Sequence, residues 1–165
     1  MMKKFCKEFL PYVIILIVVL LIKLYVFSLV RVNGPSMETT LLNNDIMILD
    51  KISYKFSEVK RFDIVVIDLN DELIIKRVVG LPGEKIKYKD NKLYINDKLI
   101  DYNFKHSYTD DFELDEVIPS DCYYVLGDNR LNSSDSRIFG VVHRNKIKGK
   151  AVYTLFPFSR FGNKK

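Results

Sequence analysis

Ser36 and Lys76 are the two residues of this chain whose types and settings point to covalent chemistry. Ser36 follows Gly34-Pro35. Glycine opens backbone angles closed to other residues, and proline fixes φ just before the serine. The bend is suited to presenting a hydroxyl and its backbone N–H on a rigid turn, although most Gly-Pro-Ser bends are ordinary loops. Lys76 lies in the apolar run Ile74-Ile75-Lys76-Arg77-Val78-Val79. In a strand, Ile74, Lys76 and Val78 share one face, and Ile75, Arg77 and Val79 the other. An ammonium between Ile and Val is poorly solvated, and burial favours its neutral form, which is the form a base needs. The alternative is a strand-end lysine with its head in water, and the flanking pattern alone leaves the two even. Two further polar runs, Gly127-Asp128-Asn129-Arg130 and Asn132-Ser133-Ser134-Asp135-Ser136-Arg137, form a third block. His106 lies in a polar loop and His143 follows Val141-Val142, and neither is framed by a motif that marks a histidine base.

Two kinds of element must position these residues. Phe9 to Val30 is a 22-residue apolar stretch interrupted by Lys23 alone. As a helix it reaches roughly 33 Å, enough for the hydrocarbon core of a bilayer. The summed preference of its aliphatic residues outweighs the roughly 3 kcal/mol of one central lysine, and Lys23 sits toward the outer end, where it can snorkel. Lys3, Lys4 and Lys7 before the span place residues 1–8 in the cytoplasm, 9–30 in the membrane and 31–165 outside. A cleaved secretory leader has the same charge and apolar pattern, but Tyr25-Val26-Phe27-Ser28-Leu29-Val30 lacks a clear small-x-small site.

After Val30 the pattern changes to short alternating runs. Asp45 to Leu49, Asp63 to Leu69, Leu73 to Val79, Cys122 to Leu126 and Ala151 to Phe156 read as strands. Lys85 to Ile100 reads as a meander with turns at Asp90-Asn91 and Asn96-Asp97. Asp110 to Glu116 is an acidic stretch expected as a solvated loop. The fold class is therefore mostly β, with one N-terminal membrane helix.

Composition narrows the function classes. At 165 residues there is room for one domain beside the membrane segment. The net charge of +5 splits into +3 for residues 1–30 (four Lys, one Glu) and +2 for the rest (22 basic, 20 acidic), so nothing points to nucleic acid. Cys6 and Cys122 would lie on opposite sides of the membrane and cannot pair. No His or Cys cluster has metal-ligand spacing, so neither a metal nor another cofactor is expected.

Four blocks, in this order, resemble the bacterial type I signal peptidases in their short, single-span form. Gly34-Pro35-Ser36-Met37-Glu38-Thr39-Thr40-Leu41 is similar to the nucleophile box, and Arg61-Phe62-Asp63-Ile64-Val65-Val66 to the next strand. Lys76-Arg77-Val78-Val79-Gly80-Leu81-Pro82-Gly83-Glu84 resembles the general-base box, and Gly127 to Arg137 the last box. The resemblance implies an antiparallel β peptidase domain and a serine endopeptidase that removes signal peptides from secretory preproteins at the bilayer. It implies Ser36 as nucleophile and oxyanion N–H donor, Lys76 as general base and Ser133 as the residue orienting the lysine. Arg77 with Asp128, and Asp135 with Arg137, are implied as structural ion pairs. Met37, Val32 and Ile75 match positions lining pockets for small residues, as in Ala-x-Ala, although core packing reads Val32 equally well. Phe156, Phe158 and Phe161 either dip into the bilayer surface or close a core. Gly34 stands where some relatives have a second oxyanion serine, Thr39 where proline is usual, Leu131 for aspartate and Glu84 for the commoner aspartate. Other readings are a specialised peptidase for one substrate class, a self-cleaving Ser/Lys protease and a non-enzymatic β scaffold anchored in the membrane.

Overall fold

The computed structural model describes residues 2–69 and 71–163, with side chains from residue 8 onward; the Cys6 side chain lies outside this description. Helix α1 spans Met2–Tyr25, and its 24 residues reach about 36 Å. It is the one described helix long and apolar enough to cross a membrane. The helix stops short of the expected Val30, because Phe27–Arg31 forms strand β1. A short apolar run fits either conformation, and a ladder with β2 (Ile46–Asp50), running from Phe27↔Asp50 to Arg31↔Ile46, decides for strand.

Thereafter the chain is β with short helical turns: α2 (Ser53–Phe56), β3 (Ile64–Leu69), β4 (Glu72–Gly80), β5 (Ile86–Lys89), β6 (Lys92–Ile95) and β7 (Lys98–Ile100). There follow β8 (Phe112–Glu113), β9 (Cys122–Leu126), α3 (Ser136–Phe139), β10 (Val142–His143), β11 (Ile147–Phe156) and β12 (Gly162–Asn163). The first sheet runs β1-β2-β11-β3-β4-β9-β10, with β12 beside β11, and the second runs β7-β6-β5-β8. All pairs are antiparallel. Asp90-Asn91 and Asn96-Asp97 both take positive φ, the two-residue geometry that matches strand twist in tight hairpins. The acidic stretch is not wholly a solvated loop: Phe112–Glu113 pairs with β5, and Glu113 bridges Lys85 at 2.9 Å and Lys87 at 3.0 Å.

Three buried clusters hold the domain. The first joins Val32, Met37 and Leu41 to Met47, Leu49, Ile64, Val66, Ile75 and Ala151, so the segment around Ser36 is anchored in core. The second lies on the opposite face of β3 and β4, around Val65, Ile67 and Val78. The third fills the space under the small sheet, with Ile86, Tyr88, Leu93, Ile118 and Leu126.

Candidate active site

Strand β4 sends Lys76 and Arg77 to opposite faces. Its partner β3 runs along most of its length, but β9 pairs only from Arg77↔Leu126 to Gly80↔Tyr124. Beside Lys76, β9 has given way to Gly127 and the loop that follows, and the Ser36 turn closes the gap. Asn129 N–H donates to the Ser36 carbonyl at 3.0 Å. Gly127 allows this approach, since a Cβ there would collide with that carbonyl and with the Ser133 hydroxyl. At Gly34 the space is open, but φ is +86°, a region that favours glycine, and its N–H donates to Asn43 Oδ1 at 3.0 Å.

Lys76 Nζ lies 2.8 Å from Ser36 Oγ, in hydrogen-bond contact across 40 positions of sequence. Lys76 is 3% exposed and Ser36 half-buried. Burial pushes the lysine pKa below its ordinary value, and the carboxylates of Asp135 and Asp128 pull the other way. No carboxylate bonds the amine directly, so desolvation dominates.

Two ion pairs frame the dyad. Arg77 grips Asp128 with both prongs, Nε–Oδ1 at 2.8 Å and Nη2–Oδ2 at 2.7 Å, with both side chains fully buried. Its Nη1 donates to the Phe62 carbonyl at 3.0 Å, and the Phe104 ring centroid lies 4.1 Å from the guanidinium carbon. Asp135 takes Arg137 Nε and Nη2, each at 2.8 Å, and accepts from Gly127 N–H at 3.0 Å. Gly127 N–H lies beyond the short β9–β10 pairing, and the Asp135 carboxylate is its partner instead of a strand.

Other expected residues fall out differently. Ser133 reaches the site, against Gly127, but its buried hydroxyl has no hydrogen-bond partner and does not bond Lys76. Val32, Met37 and Ile75 come together as buried core beside the serine turn rather than as an open wall. Phe156, Phe158 and Phe161 are exposed and close no core. Glu84 accepts from Arg61 through both carboxylate oxygens and from Leu81 N–H at 2.8 Å, which accounts for an acid there. Thr39 has φ +90°, out of proline's reach, and Leu131 is exposed. His106 bonds Tyr102 OH and the Ser107 carbonyl, and His143 accepts from Asn145 N–H, so neither contacts the dyad.

Thr40 escaped sequence reasoning. Its hydroxyl donates to Asp128 Oδ2 at 2.6 Å, tying the Ser36 segment to the buried ion pair. A threonine four places after the serine carries no chemical signature, so only the fold reveals it. Arg130 was also missed: it is buried, and Nη1 donates to Tyr88 OH at 3.0 Å and Thr109 Oγ1 at 2.9 Å, joining the small sheet to the last box.

Comparison with known proteins places this geometry. The model of the family described as "Signal peptidase, peptidase S26" matches residues 5–156. A signal peptidase I of Bacillus caldolyticus is 42% identical over 166 residues, covering 92% of this chain and 91% of the relative. Signal peptidase I V of Bacillus subtilis (strain 168) is 39% identical, covering 86% of this chain and 93% of its own. The crystal structure of a signal peptidase I from Enterococcus faecalis V583 matches with a TM-score of 0.51 at 33% identity, over 58% of this chain and 98% of that one. With a family match over most of its length, the chain belongs to the type I signal peptidases of peptidase family S26, membrane-anchored serine endopeptidases that remove signal peptides from secreted preproteins.

Proposed function

We propose that Ser36 is the nucleophile and Lys76 the general base of this peptidase, acting on preproteins cut after small residues in an Ala-x-Ala pattern. The observation that carries the reading is the 2.8 Å contact between Ser36 Oγ and a lysine amine that is nearly dry. With Lys76 neutral, the Ser36 hydroxyl donates to its lone pair. As Oγ attacks the scissile carbonyl, the proton passes to Nζ and then to the leaving amine, freeing the mature chain. Lys76 next takes a proton from water, which hydrolyses the acyl ester and restores Ser36. The Ser36 N–H, without a partner among the described residues, is free to face the oxyanion. Asp128–Arg77 and Asp135–Arg137 hold the loop that supports the dyad, and the unpaired Ser133 hydroxyl beside Gly127 is available to the lysine once Nζ gains a proton.

Strand β1 is an edge strand whose last residue lies five positions before Ser36, so an extended substrate can add to it and reach the nucleophile. The buried Val32, Met37 and Ile75 pack beneath this turn, which is in keeping with shallow pockets for small side chains. The basic start of the chain stays in the cytoplasm, the β domain works outside, and exposed Phe156, Phe158 and Phe161 meet the bilayer surface.

The test incubates full-length protein in detergent with a preprotein bearing an Ala-x-Ala site, beside Ser36→Ala and Lys76→Ala. Cleavage after the second alanine by the parent alone is expected. Cleavage by either folded variant would remove the dyad from the mechanism.

A further inference from the structure

The outer face of β1, β2 and β11 is apolar, although the first buried cluster uses only their inner face. Leu29 pairs with Ile48 and Ile48 with Tyr153, so these three form a row across the strands, with Phe27 beside them. Facing the row are Val19 and Ile22 from the last turns of α1, and the two sides enclose a groove of about 860 Å³. Its walls are tied together: Lys51 N–H donates to the Val26 carbonyl at 3.0 Å and Lys51 Nζ to the Leu24 carbonyl at 3.2 Å. Phe27, Leu29 and Tyr153 remain 42%, 64% and 44% exposed. An apolar surface of this kind, open at the outer end of a membrane helix, marks an interaction site.

We propose that this groove seats the apolar segment of the signal peptide while the cleavage region runs along β1 to Ser36, a reading that rests on the proposed dyad. Signal peptides carry an apolar run of about 7–15 residues followed by a small-residue cleavage site. The free edge of β1 begins at Phe27, inside the groove, and ends at Arg31. Its five residues span about 17 Å at roughly 3.3 Å per residue. A preprotein paired along that edge therefore has its apolar run delivered to the groove. A lipid chain matches the groove in polarity but has no use for a free strand edge leading to the nucleophile, and this continuity selects the substrate. Two charged residues line the groove: Asp50, engaged by Ser53 and by the N–H groups of Ile52 and Ser53, and Lys23, whose long stem can carry its amine out to the rim, so neither opposes an apolar occupant.

The test uses full-length protein in liposomes and two substrates, a preprotein with its complete signal peptide and a soluble peptide spanning only the cleavage region. Ile48→Trp and Ile22→Trp each fill the groove away from the dyad. KM for the preprotein is expected to rise about tenfold, the scale of a few lost apolar contacts, with its kcat and the soluble-peptide kinetics unchanged. An unchanged preprotein KM, or equal losses on both substrates, would overturn the proposal. A photoreactive side chain at position 48 of the Ser36→Ala protein supplies a second reading. Cross-links to the apolar run of the signal peptide are expected, and cross-links to lipid alone would give the groove to lipid. Failure of the dyad shows separately, as soluble-peptide cleavage that survives Ser36→Ala.

Discussion

Lys76 and Arg77 are neighbours on β4, both cationic by type and both nearly dry, yet the two faces of the strand treat them in opposite ways. Arg77 meets a carboxylate fork, a backbone carbonyl and an aromatic ring, which together replace the water it has lost. Lys76 meets one hydroxyl, Ile74 and Val78 on its own face, and no direct carboxylate. Burial of a charge is tolerated where partners compensate it, and otherwise the group gives up its proton. The difference separates a structural cation from the proposed base.

The comparison breaks hardest if Lys76 is made permanently charged or permanently neutral. Lys76→Arg and Lys76→Met are each expected to lower kcat by roughly 10²–10⁴-fold, the usual contribution of a general base. The parent rate should fall as pH drops through the lowered lysine pKa, because protonation removes the accepting lone pair; a rate flat down to pH about 5 would sink the lysine as base. Stability runs with its own sign. The unfolded chain holds this proton more tightly than the folded one, so Lys76 destabilises the fold below its lowered pKa. That penalty fades as pH rises from there toward the ordinary lysine value near 10.4. Lys76→Met should thus have a higher Tm than the parent at neutral pH, and the gap should narrow on the alkaline side.

Removing one member of the buried fork gives the next largest effect. Arg77→Met or Asp128→Leu leaves an unpaired buried charge, expected to destabilise by about 3–5 kcal/mol in denaturant unfolding. The double variant should regain most of the loss. If the single variants unfold like the parent, Arg77 and Asp128 are not the compensated pair described above.

How much of this contrast was legible in the sequence follows from the range of the interactions. The alternation Ile74-Lys76-Val78 is local, and it placed the lysine on an apolar strand face before any partner was known. The meander turns were equally local, being two-residue runs of Asp and Asn that tolerate positive φ. The sequence pattern merges β1 with the membrane helix because its apolar residues face two ways, into the core and into the groove, which erases the alternation. The Thr40 bridge and the ring on Arg77 are contacts between segments far apart in sequence, so no spacing rule carries them.

Thr40 offers a smaller test of the Arg77 side. Its hydroxyl donates to a carboxylate that is already doubly bonded by arginine, so the pair survives without it. Thr40→Val is expected to cost about 1.5–3 kcal/mol, the range for a hydrogen bond to a charged group. A larger loss, matching that of Arg77→Met, would place the hydroxyl among the pair's essential partners.

Ser133 sharpens the Lys76 side with the smallest expected effect. Its hydroxyl is buried beside Gly127 with no partner, so the folded state carries an unsatisfied group that Ser133→Ala removes. Stability should therefore stay level or rise by up to about 1 kcal/mol, since burying an unpaired polar group is unfavourable. Activity is expected to move the other way. If the hydroxyl turns to the lysine as Nζ gains its proton, that bond exists only along the reaction path, and losing it should lower kcat about tenfold while KM holds. Threonine, which restores the hydroxyl, should recover kcat. A Ser133→Ala protein that loses stability and keeps its kcat would make the hydroxyl a packing group, leaving the lysine to be held by its apolar walls and Ser36 alone.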